Sequence, residues 1–225
     1  MPWYAAFVTR KRRDTMNNLI ITIARQSGSG GREIGERVAD ILGIKTYGRE
    51  LINMAAKDTD ISEQALEKAD ETAANSLLYT LAMGSNIFGA GHLGSYNLPI
   101  NDKLFILQSD VIREIAQKES AVIIGRCADF VLRKHEKRLS VFIYADIEKR
   151  RERVIKRHPE LKASEVIESI NKTDKRRSSY YNFYTGSKWG KYDNYHLALD
   201  SGKLGVEGCA QIIAQCARML DEENK

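Results

Sequence analysis

The stretch on which the fold turns is Leu19-Ile20-Ile21-Thr22-Ile23-Ala24-Arg25-Gln26-Ser27-Gly28-Ser29-Gly30-Gly31. Its first six residues form a near-continuous, largely β-branched apolar run, the pattern of a strand buried on both faces. The run enters a serine–glycine loop with no spacer. Beyond the loop the period changes. Ile34, Val38, Ile41 and Leu42 recur at i, i+4, i+7 and i+8, which predicts a helix from about Arg32 that Gly43 terminates. Strand, glycine loop and helix in this order turn backbone amides inward at the positive end of a helix dipole, where an anion is held.

Outward from this unit the alternation continues. A short strand is predicted over 44–47, and a helix begins near Arg49. Asp60 with Glu63 has capping-box spacing for a further helix. Residues 84–101 contain Gly84, Gly89, Gly91, Gly94 and Pro99 and read as a loose connection. From Asp102 a helix turns Leu104, Leu107, Val111, Ile112 and Ile115 inward. Ala121–Ile124 is a second buried strand ending in Gly125-Arg126, and Val141–Ala145 a third ending in Asp146. A basic helix follows through Arg150, Arg151, Arg153, Lys156 and Arg157 until Pro159. The next helix leads into Lys175-Arg176-Arg177 and a tyrosine-rich loop. His196–Leu199 reads as the last strand and 205–221 as the last helix. Buried strands alternating with helices predict an α/β fold whose parallel sheet is covered on both faces.

The 225 residues suit one domain. Such a chain buries roughly 70% of its unfolded surface and needs no disulfide or metal staple. With 43% hydrophobic and 29% charged residues, it is not a disordered or collagen-like chain. No apolar run nears the ~20 residues of a membrane span. Cys127, Cys209 and Cys216 form no CxxC pair and read as small core residues in a reducing compartment. His92, His135, His158 and His196 are too scattered for a zinc site. Residues 1–15 end in a basic run rather than opening with one, unlike a signal peptide. They are expected to be a disordered or arm-like extension, with the domain over 16–225 and a cytoplasmic location. The net charge of +5 and pI near 9.0 suit nucleic acid or a phosphate-rich small substrate.

Two nucleotide-binding patterns compete for the loop, and neither fits as written. In GxGxxG, counting from Gly28 and Gly30, the third glycine falls on Glu33, and no acidic residue ends the next strand. In GxxxxGK[ST], the first glycine is Arg25, the lysine is Gly31, and the hydroxyl position falls near Arg32 or Glu33. What remains is the chain path, with an arginine on each side of the loop.

The run IITIARQSGSGGREIGERVADILG resembles the opening of cytidylate-kinase-like proteins, nucleoside-monophosphate kinases with a deviant phosphate loop. The likeness continues through VIIGRCADFVL, VFIYADIEKRRERVIKR, DKRRSSYYNFYTGSKWG and YHLALDSGKLGVEG, and covers roughly 18–215. It implies a single P-loop kinase-type domain with a five-stranded parallel sheet and an arginine-rich helical lid, about 150–192. The implied activity is transfer of a phosphoryl group from ATP, with Mg2+, to CMP or dCMP. Ser27, Gly28, Ser29, Gly30, Gly31, Arg32 and Glu33 would wrap the donor phosphates. Arg49 and Arg126 would face the acceptor, and Arg153, Arg157, Arg176 and Arg177 would act from the lid.

The departures from the pattern raise their own expectations. With the loop lysine absent, Arg25 or Arg32 must replace it. With Glu33 at the metal-holding hydroxyl position, Mg2+ would be reached through Glu33 or water. Asp146 fits either a metal-holding carboxylate or a helix cap, and Asp129 and Asp200 are further carboxylates near strand ends. Three readings follow: a nucleotide kinase-type phosphotransferase, a nucleotide-binding regulator that kept the fold without transfer, and a nucleic-acid binder. The last would stack bases on Tyr180, Tyr181, Phe183, Tyr184 and Trp189, but no RNA-binding motif accompanies them. The expected partners are ATP and a nucleoside monophosphate or other small acceptor, with no membrane, and with room for a homo-oligomer.

Overall fold

The computed structural model describes residues 18–56 and 99–223. The predicted helix from Asp60, nearly all of the 84–101 connection and the 1–15 extension lie outside them. Five strands, β1 (Ile20–Arg25), β2 (Lys45–Tyr47), β3 (Ala121–Ile124), β4 (Arg138–Tyr144) and β5 (Leu197–Asp200), form one parallel sheet in the order β2-β3-β1-β4-β5. The helices are α1 (Gly31–Leu42), α2 (Glu50–Ala56), α3 (Ile100–Lys118), α4 (Ala128–Val131), α5 (Ile147–Arg157), α6 (Ala163–Thr185) and α7 (Ser201–Glu223).

β1 lies at the centre because it is apolar on both faces. Ile21 and Ile23, with Val122, Ile124, Leu139 and Val141, pack beneath α1 and α7. Ile20, with Ala121 and Ile123, packs on the other face against α2, α3, α4 and α6. Each fully buried Ile or Val contributes about 1.5–3 kcal/mol, so this alternation decides which way every β1 side chain points. Cys127 and Cys209 are buried, and Cys127, Cys209 and Cys216 form no disulfide. No helix among the described residues is long and apolar enough to cross a membrane.

Several boundaries differ from expectation, three of them by more than two residues. β4 begins at Arg138 rather than Val141, because Leu139 and Ser140 already pair with Ile21 and Thr22. Ser201–Glu223 is continuous except at Gly205, whose φ is 68°. The largest difference is the tyrosine-rich stretch, which is not a loop. It is the C-terminal part of α6, and Tyr180, Tyr181 and Tyr184 are buried in the core. Tyr184 stacks on Phe105 with ring centroids 4.2 Å apart. These three rings are committed to packing, which removes the stacking platform of the nucleic-acid reading.

Because the strands are parallel, their carboxyl ends lie along one edge of the sheet. Gln26–Gly30, Gly48-Arg49, Gly125-Arg126, Ala145-Asp146 and Ser201 all follow strand ends there. Open α/β sheets bind ligands at this edge.

Candidate active site

The loop after β1 is tied to the sheet at its start. The Gln26 N–H donates to the Ile143 carbonyl (2.9 Å), and Gln26 Oε1 accepts from the Ala145 N–H (3.2 Å). Gly28 and Gly30 have φ of 76° and 79°. Gly30 occupies the N-cap of α1 and has no side chain to bond the first helical amides. Those donors therefore face outward at the positive end of the dipole, ready for an anion.

The loop is clamped from behind. α5 passes so close to Gly28 that a Cβ there would lie 2.7 Å from the Arg150 carbonyl oxygen. Arg150, only 8% exposed, donates to the Ser27 carbonyl (3.3 Å) and pairs with Asp174 of α6 (2.5 Å). Asp174 also accepts from the Ser27 N–H at 2.6 Å. Arg153 donates to the carbonyls of Ser29 (3.1 Å) and Ser201 (2.7 Å) and to Ser201 Oγ (3.0 Å). The Ser201 hydroxyl in turn bonds the Ser29 carbonyl at 2.6 Å. With the Ser27 and Ser29 carbonyls tied back and the Ser27 N–H held by Asp174, the amides at the start of α1 face the ligand side.

On the open side, a Cβ at Gly31 would lie 2.5 Å from Arg25 Cβ and 2.9 Å from Arg25 Cγ. The Arg25 stem thus occupies the space beside Gly31, the position where the phosphate-loop pattern has its lysine. Arg177 of α6 donates to the Arg25 carbonyl (3.3 Å). Arg25, Arg126 and Arg177 line one pocket with Asp129, Tyr180, Tyr181 and Trp189. Gly125, Arg126 and Cys127 have φ of 79°, 59° and 53°, three successive left-handed residues. Such backbone costs a non-glycine residue roughly 1–2 kcal/mol. It persists here because Arg126 and Cys127 are held in a buried turn between β3 and α4.

Under this pocket the Asp129 carboxylate accepts from the Tyr181 hydroxyl (2.7 Å), and its backbone carbonyl accepts from Arg138 (2.6 Å). Burial pushes the Asp129 carboxyl upward, opposed by the Tyr181 bond and the Arg138 charge. Burial and the neighbouring Asp129 charge push the Tyr181 phenol far above its ordinary value. Both groups lie buried beneath the pocket and are bonded to each other.

A glycine loop, a helix N-terminus and three arginines thus lie along one edge of the sheet. The profile of the cytidylate kinase-like family matches residues 20–203. This chain belongs to that family. It is similar to a cytidylate kinase of Archaeoglobus fulgidus, 25% identical over 204 residues that span 88% of this chain and 94% of that protein. Among solved structures it resembles an uncharacterized protein from Eubacterium ventriosum, with a TM-score of 0.67, 27% identity, and coverage of 89% of this chain and 98% of the other. A shikimate kinase from Bacteroides thetaiotaomicron shares the fold, with a TM-score of 0.51, 11% identity and coverage of 89% and 98%.

Within the family frame, Ser27–Gly31 form the loop, and Arg25, Arg126 and Arg177 converge beside it. Arg153 lies under the loop as a clamp rather than over it as a lid. Arg32 turns along α1 to Glu36 (2.8 Å), away from the loop, which leaves Arg25 as the arginine beside the missing lysine. Arg157 pairs with Glu33 at 3.4 Å, and both are about half exposed. Arg49 stands exposed at the start of α2, and Arg176 is exposed on α6. Asp146 accepts from the Glu148 N–H and caps α5. Among the described residues no group of three or more His, Cys, Asp or Glu is placed to hold a metal. Mg2+ commonly uses one or two carboxylates with substrate phosphates and water. Glu33 lies in the first turn of α1 beside the loop, paired with Arg157.

Sequence reasoning missed Arg150 as a loop ligand, and it missed Asp174 and Ser201. A signal for Asp174 was present: Val166, Ile170, Asp174, Arg177, Tyr181 and Tyr184 recur at three- and four-residue spacing, one face of a single helix.

Proposed function

We propose that this protein transfers the γ-phosphoryl group of ATP to a nucleoside monophosphate, with CMP or dCMP the first acceptor to test. The observation that carries this reading is the packing of the Arg25 stem against Gly31. A cation at the loop's first position and a glycine at its seventh invert the usual glycine and lysine, so a positive charge stays beside the terminal phosphates. In this reading the amides of Gly28 and of Gly30–Arg32 bind the β- and γ-phosphates, with Arg25 bridging them. Arg126 and Arg177 hold the acceptor's phosphate, and Arg49 and Arg176 approach from the rim. An acceptor phosphate oxygen attacks the γ-phosphorus, the bond to the β,γ-bridging oxygen breaks, and ADP leaves. Such transfer needs positioning and positive charge more than covalent assistance, and arginine supplies a permanent planar fork for phosphate oxygens. Mg2+ bound to ATP would neutralise phosphate charge near Glu33. Cytoplasmic nucleotide pools suit these substrates.

A second reading, a nucleotide-binding regulator without transfer, is favoured by one observation. Arg32 stands where the metal-holding hydroxyl belongs, and Glu33 beside it is paired with Arg157. A coupled assay with ATP, Mg2+ and a panel of nucleoside monophosphates separates the two. ADP formed only with a cytidine acceptor supports transfer. ATP binding with no transfer to any acceptor selects the regulator.

A further inference from the structure

Gln108 is 1% exposed, and among the described residues neither its Oε1 nor its Nε2 has a hydrogen-bond partner. A buried carboxamide normally has one, because desolvation without a bond is costly. Its position places it on the acceptor side. Phe105, Gln108, Ile112 and Ile115 recur at three-, four- and three-residue spacing along α3, and the three apolar members belong to the core shared with Tyr180, Tyr181 and Cys127. α3 packs on α4, the helix just after Arg126-Cys127. Gln108 lies ten residues before the end of α3, about 15 Å back along its axis at 1.5 Å per residue. β3 then rises about 13 Å over four residues. The carboxamide therefore stands level with the carboxyl end of β3, where Arg126 begins the pocket. Phe105, one turn away, lies edge-on to Tyr180 with centroids 6.2 Å apart, and Tyr180 lines that pocket.

We propose that Gln108 reads the base edge of the acceptor, a specificity role that rests on the nucleoside-monophosphate reading above. A carboxamide offers one acceptor oxygen and two donor hydrogens side by side. The complement is a planar ring edge carrying an adjacent donor and acceptor, which a nucleobase has. The base enters from the Arg126 side as Phe105 and Tyr180 part. Empty, the site leaves the amide unpaired; filled, it pairs both atoms.

Binding of CMP, UMP, AMP, GMP and ribose 5-phosphate to the full chain, measured by calorimetry for wild type and Gln108→Leu, tests this. The wild type should prefer one base. Gln108→Leu should weaken that nucleotide about tenfold to a hundredfold, the size of a bidentate base contact. Ribose 5-phosphate should bind both within twofold. In turnover with ATP, KM for the preferred acceptor should rise while kcat stays within a few-fold. The melting temperature should not fall, because an apolar side chain of similar shape removes an unpaired amide. Gln108→Met serves as a second variant of similar length if Leu fails to fold. Base preference that survives in the variant overturns the proposal, as does an equal loss for ribose 5-phosphate, which marks a purely structural residue. A wild type that binds no nucleoside monophosphate removes the nucleotide reading and this proposal together. A wild type that discriminates, with a variant that discriminates equally, removes only this one.

Discussion

The two halves of the site are built on opposite plans. The half that the proposed function gives to the donor is backbone: glycines at left-handed φ, amides at a helix start, and side chains that bond the loop's carbonyls and the Ser27 N–H. Arg150, Arg153, Asp174 and Ser201 act on it only from behind. The half that the proposed function gives to the acceptor is side chain: Arg126 and Arg177 beside Tyr180, Tyr181 and Trp189, over a buried Asp129. A cradle of amides binds any phosphate and is rigid through its peptide geometry. A pocket of side chains discriminates among acceptors and is shaped by whatever packs beneath it. Substitutions in the first half should change the loop itself, and those in the second should change which acceptor is used.

The largest effect tests the rigidity of the loop. Gly28→Ala places a Cβ 2.7 Å from the Arg150 carbonyl and forces alanine to φ 76°. The left-handed conformation and the overpacking together cost about 3 kcal/mol. Gly30→Ala has a similar φ, but its nearest contact is Val206 Cγ2 at 3.6 Å, so about 1–2 kcal/mol is expected. Denaturant midpoints compare the two. Equal losses would show that α5 does not back the loop rigidly.

Next comes the inverted pair. Gly31→Lys alone should abolish turnover, because its Cβ meets Arg25. Arg25→Gly alone should lower kcat by about a hundredfold or more, in the range seen when a charge acting on the transition state is lost. The double variant Arg25→Gly/Gly31→Lys removes the clash and restores a cation, so it should recover part of the rate. Steady-state kinetics of the three variants decides it. A double variant no better than the worse single would break the link between Arg25 and the missing lysine.

Why the two halves were unequally legible in the sequence follows from their construction. A backbone cradle needs glycines in consecutive positions after a buried strand, so Ser27–Gly31 announce it locally. The sheet was legible for the same reason, since Ile20–Ala24, Ala121–Ile124 and Val141–Ile143 are apolar runs. The clamp was not, because Asp174 and Ser201 reach the loop across about 150 and 170 residues of chain. Tyr180, Tyr181, Phe183 and Tyr184 mislead because aromatic residues are middling helix formers. Packing on Phe105 and the sheet overrides that preference, and the helical spacing running back to Val166 was the better guide. Cys127 looked like a plain core residue, and its left-handed backbone has no sequence signature.

The two halves should also separate kinetically. Arg126→Ala should raise the acceptor KM at least tenfold and leave ATP-induced stabilisation intact, about 2.7 kcal/mol at 100 times the dissociation constant. Arg153→Ala leaves the Ser29 carbonyl with one fewer donor, costs about 1–3 kcal/mol, and should weaken ATP. Acceptor and ATP titrations of both variants read the contrast. If Arg126→Ala weakens ATP as much as acceptor, the division into halves is wrong.

The smallest effect lies under the acceptor half. Burial raises the Asp129 carboxyl above its ordinary value of 3.8 in the folded protein. The folded state therefore binds this proton more tightly than the unfolded chain does. Stability must fall as pH rises, beginning near 3.8, where the unfolded chain releases the proton, and ending at the raised folded value. The slope from one group is at most about 1.4 kcal/mol per pH unit. Asp129→Asn keeps an oxygen to accept the Tyr181 hydroxyl and removes the titration. Subtracting its stability curve from that of the wild type, by urea unfolding between pH 4 and 8, should leave a wild-type deficit that grows with pH and then levels. A difference that stays flat would mean that the Arg138 charge and the Tyr181 bond fully offset burial. A difference of opposite sign would mean that Asp129 is a stabilised anion. The acceptor pocket would then rest on a standing negative charge, and Arg126 and Arg177 would be partly neutralised before any acceptor arrived.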